Sequence, residues 1–78
     1  MYKSVSQKEL ETIELTVNKK LANEGSRNRI SLEKRPGQYA VDLYDDETSV
    51  AICNLVIGTR KEVYLYLAGV DDWLRIKS

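Results

Sequence analysis

The sequence predicts an α+β fold, a two-layer α-β-β-β-α domain in which a three-stranded antiparallel sheet carries both helices on one face. Two segments open with a capping box and continue with apolar residues at helical spacing. Between them lie three runs of strand-like composition separated by turn chemistry. Elements with one apolar face must bury it, and this order of elements does so in two layers.

The first helix is announced by VSQKELETIELTVNKKLANEG, in which Ser6 is the N-cap, Glu9 closes the capping box, and Val5 and Leu10 are placed as a hydrophobic staple. Leu10, Ile13, Val17 and Leu21 then form one narrow stripe, and Gly25 is the expected left-handed stop. Leu15 falls off the stripe, as a flank contact or an exposed apolar residue.

RNRISLEK alternates, with Ile30 and Leu32 opposed to Arg29, Ser31 and Glu33. Pro36 and Gly37 follow in the order a type II turn requires. YAVDLY puts Tyr39, Val41 and Leu43 on one face and Ala40, Asp42 and Tyr44 on the other, which is left to solvent or a partner. After the polar connection Asp45, Asp46, Glu47 and Thr48, the run SVAICNLVI is apolar on both faces. That pattern predicts a more covered strand.

The last segment, GTRKEVYLYLAGVDDWLRI, supports two readings. EVYLYL has strand composition, which allows a fourth strand over about 62–68. Thr59 and Glu62 repeat the capping box, however, and Val63, Leu67, Val70 and Leu74 repeat the helical stripe, so a second helix is the preferred reading.

With 78 residues the chain is read as a single domain, 1–78, whose apolar residues are mostly committed to packing. Twelve basic and twelve acidic side chains give a formal net charge of zero, which excludes a generic polycation. The lone Cys53 and the lack of a leader-like N-terminus point to a reducing cytoplasm, and the longest apolar stretch is too short to cross a bilayer. There is no histidine, the four glycines are never grouped, and the acidic cluster lacks a calcium-loop pattern. No catalytic, cofactor-binding or metal site is expected, and the chain is read as non-enzymatic.

Following the meander up, down and up again collects Lys34, Arg35, Arg60 and Lys61 at one end of the domain. Asp45, Asp46, Glu47, Asp71 and Asp72 gather at the other. A helix start disfavours positive charge, so Arg60 and Lys61 are not there for local stability. The second surface feature is aromatic: Tyr66, Gly69 and Trp73 line up beside the buried stripe of the final helix. Tyrosine and tryptophan are common interface anchors, although a small domain also needs large side chains to complete its core.

The order of elements resembles that of double-stranded-RNA-binding domains, with the helix from Gln7 to Glu11, the turn KRPG and the start GTRK matching the family's contact segments. The turn lacks the family's histidine. The stretches QKELET, YAVDLYDDETS and GTRKEVYLYLAGV are also similar to short proteins of bacteriophages, prophages and conjugative elements. That resemblance implies a small cytoplasmic accessory protein of a mobile element, with no catalytic residue.

The expected function is therefore an interaction module that binds a protein partner, or itself as a homo-oligomer, through the final helix and the open sheet face. Tyr66, Trp73, Leu65 and Tyr44 would be its anchors. The alternative is a nucleic-acid-binding protein using Lys34, Arg35, Arg60 and Lys61.

Overall fold

The computed structural model describes residues 4–77, with only the backbone of Lys77. Its elements are α1 (Gln7–Asn23), β1 (Asn28–Arg35), β2 (Gln38–Asp45), β3 (Ala51–Gly58) and α2 (Arg60–Lys77). The α-β-β-β-α order is the one predicted, and the segment 62–68 is helical.

Both helix starts are built by reciprocal bonds. The Glu9 N–H donates to Ser6 Oγ at 3.1 Å while the Ser6 N–H donates to Glu9 Oε1 at 3.2 Å. At α2 the Glu62 N–H donates to Thr59 Oγ1 at 3.2 Å, and the Thr59 N–H to Glu62 Oε1 at 2.9 Å. Each box satisfies two amides that a helix start otherwise leaves open. The Thr59 N–H foremost, and then the Thr59 hydroxyl, hold the Glu62 carboxyl below its ordinary value. The far end of α1 closes as a Schellman motif: Gly25, at φ +75°, donates to Ala22 O, and Ser26 donates to Leu21 O.

The strands form one antiparallel sheet in the order β1-β2-β3. Pro36 and Gly37 join β1 to β2, and the φ of +74° at Gly37 fits the third position of a type II turn. In the next connection Asp45 Oδ1 accepts the N–H groups of Glu47 (2.9 Å) and Thr48 (3.2 Å), a local turn that draws the chain back into β3. Two bulges interrupt the β2–β3 register, leaving Leu55 and Ile52 without a partner on β2.

Both helices cover the same sheet face. Leu10 and Val17 of α1, Ile30, Tyr39 and Val41 of the sheet, and Val63, Leu67 and Leu74 of α2 make one buried cluster. A fully buried side chain of this size contributes about 1.5–3 kcal/mol, and the two predicted stripes supply most of the helical share. Ile13, Leu21 and Val70 are half-buried at its margin, and Leu15 is exposed.

Two expectations are corrected. The apolar run of β3 is not the covered strand: Ala51 through Asn54 and Ile57 are exposed, because a meander places its middle strand at the centre and its last at an edge. Ala40, expected on the open face, is fully buried. In register it lies between Glu33 and Ile57, whose longer side chains shade a single methyl.

The two helices run side by side in the same direction. At one end Gln7 of α1 and Arg60 of α2 line a common groove, and at the other Lys20 Nζ lies 2.5 Å from Asp71 Oδ1. Tyr64 and Asp71 therefore mark the side of α2 that faces α1, where Tyr64 lines a groove with Ile13 and Thr16. By helical spacing, Tyr66 and Trp73 lie across the buried stripe from them. They flank α2 on the side of β3.

Candidate functional site

An edge strand leaves every second pair of N–H and C=O groups without a ladder partner. On β1 three of these groups, at Ile30 and Leu32, are taken by α1. Asn18 Nδ2 donates to Ile30 O at 3.1 Å, and the Ile30 N–H donates to Asn18 Oδ1 at 2.8 Å, so one amide side chain imitates a neighbouring strand. One turn earlier, Glu14 Oε2 accepts the Leu32 N–H at 2.7 Å. Burial pushes the Glu14 carboxyl above its ordinary value, Glu11 adds to the rise, and the Leu32 N–H opposes it.

The edge of β3 has a different character. No charged side chain occurs from Ala51 to Gly58, and Ile52 and Ile57 are 53% and 46% exposed. Charge, covering and bulges are the usual means by which an edge is kept from pairing with another chain, and of these β3 has only its two bulges. Beside it, Tyr66 and Trp73 on the flank of α2 are 38% and 58% exposed. Leu65 and Ile76 continue the apolar surface around the outward side of the helix. Apolar residues thus band the β3 edge on both sides of the sheet, with Ile57, opposite Ala40, on the helix-free face and Tyr66 and Trp73 on the helical one.

Of the partner anchors predicted, Tyr66, Trp73 and Leu65 lie on α2 beside or near this band. Tyr44 does not: it is half-buried on the central strand β2, on the helix-free face between Arg29 and Ala51. Sequence reasoning missed Ile52 and Ile57, which belong to the band, and Asn18 and Glu14, which close the other edge. A signal was available for the second pair, since Asn18 and Glu14 stand one helical turn apart beside the buried stripe.

The predicted cations converge. Lys34, Arg35 and Arg60 line one polar groove with Gln7, Gln38 and Thr59, while Lys61 is half-buried and outside the lining. Arg35 is tied to Glu33 at 2.6 Å. The amino ends of both helices point to this end and add positive partial charge to it. At the opposite end the acids are cross-linked to bases: Arg27 reaches Asp45 (3.2 Å) and Glu47 (3.1 Å), and Arg29 lies 3.8 Å from Asp46. The Thr48 and Glu47 amides, with Arg27, keep the Asp45 carboxyl below its ordinary value.

Among the described residues no three or more histidine, cysteine, aspartate or glutamate side chains are grouped to hold a metal ion. No described helix is long and apolar enough to cross a membrane. No protein-family model, curated protein or solved structure matches the chain.

Proposed function

We propose that the protein is a non-enzymatic, cytoplasmic interaction module whose ligand is another polypeptide, held on the β3 edge and the adjoining flank of α2. The observation that carries this reading is the unequal finish of the two sheet edges. One is closed by Asn18 and Glu14, and the other is open, apolar and uncharged. Main-chain pairing along β3 would supply affinity, as in strand addition generally, and Tyr66 and Trp73 would anchor the contact. The resemblance to small phage and mobile-element proteins supports an accessory role of this kind.

The test is photo-crosslinking in cells, with a benzophenone side chain placed at Ile57 or, for comparison, at Leu15 on the exposed face of α1. Adducts at 57 and none at 15 are expected. No adduct at 57 would end this reading.

A second reading is favoured by the groove of Lys34, Arg35 and Arg60, which suits a nucleic-acid phosphate. It predicts duplex RNA or DNA binding that weakens steeply with salt and disappears in the Arg60→Glu, Lys61→Glu double variant. Amide shifts confined to residues 34–37 and 58–61 would support it, and a silent spectrum would remove it.

A further inference from the structure

The geometry points to a second copy of this chain as the occupant of the β3 edge, paired antiparallel as β3–β3′ to give one continuous six-stranded sheet. The inference rests on the preceding reading of β3 and α2 as a docking face, and it names the partner.

A closed two-fold dimer that joins identical edge strands has its axis normal to the sheet, so the strands pair antiparallel. Three features of the chain fit that operator. First, self-pairing sets each side chain of β3 against its own kind, and like charges opposite one another are what normally forbid this. Between Ala51 and Gly58 there are none.

Second, an axis normal to the sheet leaves all four helices on one face and brings the flank of α2 against the same flank of α2′. That flank is the one carrying Tyr66 and Trp73. Strand edge and aromatic flank are covered by a single movement. The two bulges at Ile52 and Leu55 shorten the straight ladder, so the aromatic contact carries part of the hold.

Third, like charged ends are separated only in the antiparallel sense. β3 is preceded by Asp46 and Glu47 and followed by Arg60 and Lys61. Turning one copy over keeps the two basic ends apart and sets each beside the end where Arg27 and Arg29 pair the other copy's acids. The amino end of α2 likewise comes beside the carboxyl end of α2′, where the helix dipoles attract.

The experiment is sedimentation equilibrium of the full chain across the micromolar range, repeated for Ile57→Lys, Trp73→Ala and Leu15→Lys. All three substitutions fall on exposed positions, so circular dichroism should match the parent. The parent is expected to double in mass with concentration. Ile57→Lys and Trp73→Ala should each weaken association at least tenfold, and Leu15→Lys should leave it unchanged. A strictly monomeric parent, or a dimer indifferent to both Ile57→Lys and Trp73→Ala, overturns the proposal. If the parent is monomeric while Ile57 crosslinks to a different protein, the dimer fails and the docking face stands. If no adduct forms at Ile57 at all, both fail.

Discussion

Along β1, the N–H and C=O of Ile30 and the N–H of Leu32 are bonded by side chains of α1, whereas β3 presents an uncharged apolar edge with no helix laid against its outer side. The two strands are equal in length and belong to the same sheet. What differs is the neighbour: α1 packs against β1 with polar residues turned to the strand edge, and α2 packs above β2 and β3 with its polar flank turned toward α1. One edge has been made part of the interior. The other has been left as surface, with the composition of an interior.

This contrast is broken most severely by Asn18→Ala, which strands both main-chain groups of Ile30. The loss should be about 2 kcal/mol in urea unfolding, and the uncovered β1 edge should promote association in sedimentation. Glu14→Ala removes a single acceptor and should cost about 1 kcal/mol. Glu14→Gln keeps an acceptor and instead isolates the charge.

The direction of that pH effect is determined by burial. Folding raises the Glu14 carboxyl above its ordinary 4.5, so in the window between the two values the folded chain holds a proton that the unfolded chain has released. The contribution to stability is fully present below 4.5 and is lost as pH rises through the raised value. Unfolding midpoints measured across that window should fall for the parent and stay flatter for Glu14→Gln. Smallest of all is the effect of Ile57→Lys on the isolated monomer, within about 0.5 kcal/mol at concentrations too low for association. A large loss there would mean that β3 is already part of the core, and the contrast between the edges would dissolve.

The helices were legible in the sequence because their determinants are local. Ser6 with Glu9, Thr59 with Glu62 and the stripes ending in Leu21 and Leu74 all lie within a few residues of what they specify. The capping boxes also decided 62–68 correctly against its strand composition. The shared flank of Tyr66 and Trp73 was legible for the same reason, since they are neighbours on one helix. The exposure of β3 was misread from its apolar composition, although the predicted meander already places that strand at an edge. Asn18 escaped notice because its partner, Ile30, lies twelve residues away on another element. The shared basic end followed from counting strand directions, and the inclusion of Gln7 followed only once α1 had a direction too.

The side-by-side, same-direction arrangement of α1 and α2 has a consequence for how this architecture could vary. Each strand reverses the chain, so three strands return it to the end from which α1 set out. Strand number therefore carries a parity. Insertion or loss of a whole hairpin keeps α2 in its present orientation, while a change of one strand would turn α2 over and carry Arg60 to the end occupied by Lys20 and Asp71. Lengthening the sheet by two strands keeps the present helix pairing, and lengthening it by one does not.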